Sequence, residues 1–265
     1  MTFIQMTTLI AAICYFAATF SIVSRLFHEK GPRHILVLFF ACCAIIPHVL
    51  ITTNLLFTAE QVNFNLPNVV TLVSLVITLL ITLSALKYRI NLLMPVTYGF
   101  AGTWVLATLF MPEVSSLPLT AGKIGLVTHI TFSLIAYCVL VIACLYSFQV
   151  AYINMKLKEK NLAVLNHLPP LMLVERQLFI ILGIGTLCLL TTEITGIIFI
   201  DAFFSKTSAH KTILSLVALI MYCVILWGHF RKGWRGHRVL TLTVVATAIL
   251  TLSYFGSRFV KEFLL

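Results

Sequence analysis

The sequence predicts an all-α, polytopic membrane protein: eight transmembrane helices in one bundle, with both termini external. Three observations predict it. The 265 residues are 60% hydrophobic and only 10% charged, where an ordinary soluble domain carries about 25% charged residues. The apolar residues fall into runs long enough to cross a bilayer, which takes about 20 residues of helix. The basic residues sit between those runs, sorted by side, as topology signals do.

The runs are Phe3–Val23, Ile35–Phe57, Pro67–Leu86, Leu93–Met111, Val127–Ile153, Gln177–Ile200, Ile213–Phe230 and Val239–Ser257. Their connections are short, so residues 1–265 read as a single membrane domain with no soluble module. The first run reads as a span and not a cleaved leader, because no basic segment precedes it. The fourth, with Pro95 and Gly102, is the weakest taken alone. The longest connection, Asn154 to Arg176, carries Lys156, Lys158, Glu159 and Lys160, then His167-Leu-Pro-Pro170. Consecutive prolines stop a helix. Leu171 to Arg176 is therefore expected to form an interfacial turn that feeds the sixth span.

Orientation follows from the 18 Lys and Arg residues. Arg25, Lys30, Arg33, Lys87, Arg89, Lys156, Lys158, Lys160, Arg176, Arg231, Lys232, Arg235 and Arg238 fall on one face. Lys123, Lys206, Lys211, Arg258 and Lys261 fall on the other. The positive-inside rule puts the larger set in the cytoplasm, and an even number of spans then puts both ends outside. The net charge of +10 does not indicate nucleic acid, because the basic residues form no stripe interleaved with aromatics. The lipid bilayer is the expected partner.

The seven cysteines, Cys14, Cys42, Cys43, Cys138, Cys144, Cys188 and Cys223, all fall inside spans. None forms C-x-x-C, which excludes a thiol redox pair and a covalent haem-attachment motif. They read as small apolar packing residues. No H-E-x-x-H, P-loop, G-x-S-x-G or EF-hand pattern is present, and no nucleophile–base pair supports catalysis. The chain is expected not to be an enzyme.

Ionisable residues inside lipid are costly and point to function. His48 lies mid-span in the second run. Glu193 lies in the outer part of the sixth, within Thr191-Thr192-Glu193-Ile194-Thr195-Gly196. His129 opens the fifth, and His210 precedes the seventh. By topology His129, Glu193 and His210 share the outer half. At helical spacing, His129 shares a face with Ser133, Ala136, Tyr137, Leu140, Ala143 and Cys144. Small and polar residues there admit a second helix or a flat ligand. Imidazole suits iron, copper, zinc and nickel alike. A carboxylate such as Glu193 could tune a liganding histidine or contact a cation. Spacing alone does not choose among these.

Several stretches carry a resemblance. They are His129-Ile-Thr-Phe-Ser133-Leu-Ile-Ala136-Tyr137 continuing to Tyr146-Ser-Phe-Gln149; Leu168-Pro169-Pro170-Leu171 with Glu175; Gly233-Trp234-Arg235-Gly236; His210-Lys211; and Tyr254-Phe255-Gly256-Ser257. Together they resemble the cytochrome c assembly protein family, in its HemX-like, YpjD-type inner-membrane branch, over nearly the whole chain. The resemblance implies a haem-handling fold of the bacterial inner membrane, in which external histidines flank a tryptophan-rich loop that presents haem at the outer face. His129 matches the first of those histidines, and His48 resembles one carried in an early span. Between the sixth and seventh spans this sequence reads Asp201-Ala-Phe-Phe-Ser-Lys-Thr-Ser-Ala-His210, without tryptophan. The family's second external histidine lies beyond the eighth span, where this sequence reads Phe263-Leu264-Leu265. His210 is the candidate second ligand instead.

Two function classes follow. One is a protein that binds or escorts haem, with His129, His210 and His48 as cofactor-binding residues. The other is a non-haem accessory or regulator of a membrane ion transporter, with His48 and Glu193 as polar contacts along a pathway. Candidate partners are haem and a second membrane protein.

Overall fold

The computed structural model describes residues 3–26, 28, 31–58, 61–88, 90–111, 118–119, 124–160, 168–200 and 209–256. Eight helices in these residues are long and apolar enough to cross a membrane. The chain separates into two compact units. The first contains residues 1–120 with 161–169, the second residues 121–160 with 170–265.

In the first unit, α1 is Phe3–Val23, α2 His34–Leu56, α3 Leu66–Lys87 and α4 Leu93–Ala107, the last continued by a 3-10 turn at Thr108–Phe110. Helix α1 packs on α2 and α4, and α3 packs on the same two, so the four close a ring. The fourth span, weak by sequence, is a helix because Gly102 lets it approach α1. A Cβ at Gly102 would stand 3.1 Å from Tyr15 Cβ and 3.3 Å from Phe16 Cε1. Helix α3 starts where Asn65 caps it, accepting the Asn68 N–H at 3.0 Å, with Pro67 in the first turn where its missing N–H costs nothing. Three short strands, β1 Phe57–Thr58, β2 Gln61–Asn63 and β3 Pro118–Leu119, pair antiparallel in that order, with Val62 opposite both Phe57 and Leu119. They pair backbone groups that would otherwise be left open where the chain turns between spans.

In the second unit, α5 is Ile124–Lys158, α6 Leu171–Phe199, α7 Ala209–Lys232 and α8 His237–Thr251, the last ended by a π-helical stretch at Leu252–Gly256. Here α5 packs on α6 and α8, and α7 packs on the same two, so the neighbour order of the first unit is repeated. At 35 residues, α5 is about 52 Å long, well beyond the hydrocarbon thickness of about 30 Å. Its surplus carries the charged end, where Lys156 pairs with Glu159 at 2.7 Å.

One expectation is corrected. Leu171 to Arg176 does not form a separate interfacial turn. It is the continuous start of α6, with Pro170 as its N-cap. Nothing after Pro170 opposes a helix, and Val174 and Glu175 are buried by it.

The distribution of polarity is the reverse of a soluble protein's. Ile13, Phe20, Ile46, Leu83, Ile184, Leu187 and Ile220 face outward. The interior of the first unit instead holds Thr71, Ser74, Thr78 and Thr82, which line one face of α3. Thr71, Thr78 and Thr82 each donate to a carbonyl of the preceding turn, to Pro67 at 2.8 Å, Ser74 at 3.0 Å and Thr78 at 2.6 Å. Such a helix is stable where lipid is the outer solvent and water is not. The eight spans and the all-α class predicted above are therefore the observed ones.

Candidate functional site

The second unit collects the polar residues predicted for one end of the bundle. His129 lies half-buried near the start of α5. Its Nδ1 stands 3.0 Å from the Thr192 carbonyl of α6, with the Thr195 hydroxyl 3.5 Å away. A carbonyl only accepts, so Nδ1 carries the hydrogen and Nε2 holds the ring's lone pair. Ser133, one turn on, donates back to the His129 carbonyl at 2.7 Å. The ring is thus held by backbone, in the tautomer that a ligating histidine needs.

Glu193 follows Thr192 on α6 and is 6% exposed. Its carboxyl approaches the Ser215 hydroxyl of α7. The group that meets His129 Nδ1 is therefore the Thr192 carbonyl, while the neighbouring carboxyl is directed to α7. Around this cluster the helices are joined by hydroxyls. Tyr222 bonds Thr247 at 2.9 Å, Tyr137 bonds Thr251 at 3.1 Å, and Ser253 donates to the Lys211 carbonyl at 2.7 Å. The last bond ties the head of α7, where His210 is exposed, to the end of α8.

His48 belongs to the first unit and is fully buried there. Its Nδ1 is 2.9 Å from the Tyr15 hydroxyl, and the two rings meet edge to face. Nε2 is buried without a well-aligned bond among the described residues. A phenol hydroxyl is a good donor to an imidazole nitrogen, so Nδ1 accepts from Tyr15 and the ring hydrogen sits on Nε2. Thr78 cannot compete as donor, because its own hydrogen goes to backbone carbonyls of α3. Tyr15 thus faces the lone pair of His48 at Nδ1, whereas the Thr192 carbonyl fixes the His129 tautomer with its hydrogen on Nδ1. Sequence spacing ranks the two histidines equally; their hydrogen-bond partners separate them.

At the opposite end of the second unit, two of the quoted motifs meet. Glu175 of α6, with an 11% exposed side chain, faces Arg235, 64% exposed, at 3.8 Å. Gly233 closes α7 in a left-handed conformation (φ 64°) and donates to the His229 carbonyl at 3.0 Å. This is the usual role of glycine after a helix. Trp234 then folds back, its N–H donating to the Gly228 carbonyl at 3.1 Å while His229 Nδ1 donates to the Trp234 carbonyl at 3.2 Å. The Trp234 ring lies against Gly228, so it serves first as a helix stop. No signal in the linear sequence announces the Glu175–Arg235 pair, which joins residues 60 positions apart.

Residues 201–208 and 257–265, which carry the tryptophan-free segment and the stretch beyond the eighth span, lie outside the described residues. So do Lys30, Arg89, Lys123 and His167. None of the seven cysteines is in a disulfide, and Cys138 and Cys144 are buried.

Residues 4–265 match the family described as Cytochrome C assembly protein. Among curated relatives, the inner membrane protein YpjD of Escherichia coli strain K12 is 38% identical over 96% of this chain and 97% of its own length. The YpjD of Escherichia coli O157:H7 matches to the same extent. An uncharacterized 28.8 kDa protein of Azospirillum brasilense is 31% identical over 52% of each chain. No solved structure matches.

Proposed function

Because the chain belongs to the cytochrome c assembly protein family and is a multi-pass protein of the inner membrane, we propose that it binds or escorts haem at the outer membrane face. The observation that supports this is the held tautomer of His129, whose Nδ1–H is fixed by the Thr192 carbonyl. Such an outer partner orients a ligating imidazole and raises its basicity. A bare metal ion needs several converging side chains, and among the described residues no group of three or more His, Cys, Asp or Glu offers them. Haem iron asks less of the protein, because the porphyrin fills its equatorial positions and one or two axial histidines suffice.

In this reading His129 would be the first residue to hold the iron and His210, exposed at the head of α7, the second. His48 would take part only after Tyr15 releases its Nδ1. Bound there, the group would supply an iron centre, while the chain's own residues bind and orient it and catalyse nothing. A membrane-protein partner would receive it. The outer-face assignment rests on the thirteen-to-five division of basic residues.

Absorption spectra of purified, haem-replete protein test this. Wild type should show a Soret band that weakens or shifts in His129→Ala and in His210→Ala. A folded wild type without a Soret band would remove the haem reading and put the ion-linked alternative ahead.

A further inference from the structure

We propose that the basic end of α6 and α7 binds an anionic phospholipid, with its phosphate held by Arg176, Arg231 and Lys232 and an acyl chain lying along α7 from Trp227 inward. The two helix ends are joined there by a ring contact. Phe179 of α6 stacks on His229 of α7, with ring centroids 3.3 Å apart. Arg176 stands one turn before Phe179, and Lys232 one turn after His229, positions that share a helix face with them. Both helices therefore run on from the stacked rings to a cation. Arg176, Arg231 and Lys232 are all exposed.

Each helix reaches its cation along an apolar row. On α7, Ile213, Val217, Ile220, Val224 and Trp227 are exposed and recur at the spacing that keeps to one helix face. The next position on that face is Arg231. On α6, Leu187, Ile184 and Ile180 are exposed in the same way, and their row ends at Arg176. On spanning helices such rows meet acyl chains. Trp227 closes the α7 row, and tryptophan is favoured at headgroup level. Lys232 folds back over it, with its ammonium 4.8 Å from the ring centroid. That contact holds the charge at the depth of the indole instead of extended into water. Hydrocarbon, aromatic ring and cations thus follow in the order in which a phospholipid presents acyl chain, glycerol and phosphate. Charge complementarity selects the anionic class. The stretches 154–176 and 227–240, which span the connections from α5 to α6 and from α7 to α8, contain Glu159 and Glu175 as their acidic residues. Each already faces a cation of its own, Lys156 at 2.7 Å and Arg235 at 3.8 Å. The charge of Arg176, Arg231 and Lys232 is directed instead to a headgroup of net negative charge.

Brominated acyl chains test this, because bromine quenches a tryptophan that it touches. Haem-free protein is placed in vesicles of phosphatidylglycerol mixed with phosphatidylcholine, with one lipid brominated and then the other. The emission of Trp227 is read as wild type minus Trp227→Phe. Brominated phosphatidylglycerol should quench it more strongly than brominated phosphatidylcholine. That preference should fall roughly fivefold for each cation removed in Arg176→Gln, Arg231→Gln and Lys232→Gln. Lys158→Gln with Lys160→Gln, which removes exposed cations at the end of α5, should leave it unchanged. Equal quenching by the two lipids in wild type overturns the proposal. A loss in the Lys158, Lys160 variant as large as in Arg231→Gln also overturns it, since that would show a diffuse field and no site. Inorganic phosphate added at constant ionic strength should not alter the preference; if it abolishes it, the cations take a free anion and the lipid assignment fails. Should Trp227→Phe fail to fold, retention of phosphatidylglycerol over phosphatidylcholine in native mass spectrometry reads the same preference in wild type and in the cation variants. Because the protein is haem-free throughout, failure here leaves the Soret test above untouched.

Discussion

Replacing Gly228 with alanine should loosen the end of α7. The new Cβ would stand 2.2 Å from Trp234 Cε3, 2.4 Å from Cδ2 and 2.8 Å from Cζ3. Carbon atoms rest at about 3.5–4.0 Å, so the indole must retreat by more than about 1 Å. The ring is rigid, and its own backbone is held on the same helix end, by Trp234 N–H to the Gly228 carbonyl and by His229 Nδ1–H to the Trp234 carbonyl. Forced overpacking costs about 1–3 kcal/mol, and each hydrogen bond lost about 0.5–1.5 kcal/mol. Against these stands a gain of about 1 kcal/mol from replacing glycine in a helix. The net expectation is a loss of about 1–5 kcal/mol, read by thermal or SDS-titrated unfolding in detergent micelles. In a Trp234→Ala background the clash is gone, and Gly228→Ala should be neutral or stabilising. If Gly228→Ala alone stabilises the wild type by the propensity gain, Trp234 does not pack on α7 as described.

Three further outcomes follow from other contacts. Arg235→Ala leaves the Glu175 carboxylate without its cation. A fully buried pair broken this way costs about 3–5 kcal/mol, but at 3.8 Å with Arg235 64% exposed water screens the contact, so a loss near 1 kcal/mol is expected. The Arg235→Ala, Glu175→Gln double variant should be no less stable than Arg235→Ala in the same unfolding assay. Tyr15→Phe strips the buried His48 Nδ1 of its donor and should cost about 1–3 kcal/mol; an unchanged melting temperature would contradict the tautomer assigned to His48. A periplasmic reporter enzyme fused after Leu265 should be active and a cytoplasmic fluorophore there dark, and the reverse pattern would move His129 to the cytoplasmic side.

The spans were legible because hydropathy is a property of each residue's own partition between water and lipid, and a run of 20 such residues adds up without knowledge of neighbours. The start of α6 was misread for the opposite reason. Proline reports what it forbids before itself, whereas the helix from Leu171 is held by the burial of Val174 and Glu175, which depends on other helices. Polar residues inside the spans could be recognised as costly, but their partners could not. His48 and Tyr15 are 33 positions apart, and His129 and Thr192 are 63 apart. The distinction between two histidines, one bonded through Nδ1 to a hydroxyl and one to a backbone carbonyl, exists only once those partners are in place. Trp234 enters the sequence reading only through the motif that carries the resemblance. That it also stops a helix depends on Gly233 adopting φ 64° and on the absent side chain at Gly228.

The central claim, that His129 is held by Thr192 as a haem-iron ligand, is met most directly by chemical rescue. Purified His129→Gly would be loaded with haem, and its Soret spectrum recorded before and after adding free imidazole. The wild-type band should be lost in the variant and restored by imidazole, because the added ring supplies the missing iron ligand at the emptied position. A variant that keeps the wild-type band without imidazole would show that the iron is held elsewhere, and a wild type with no band at all would show that haem is not the ligand.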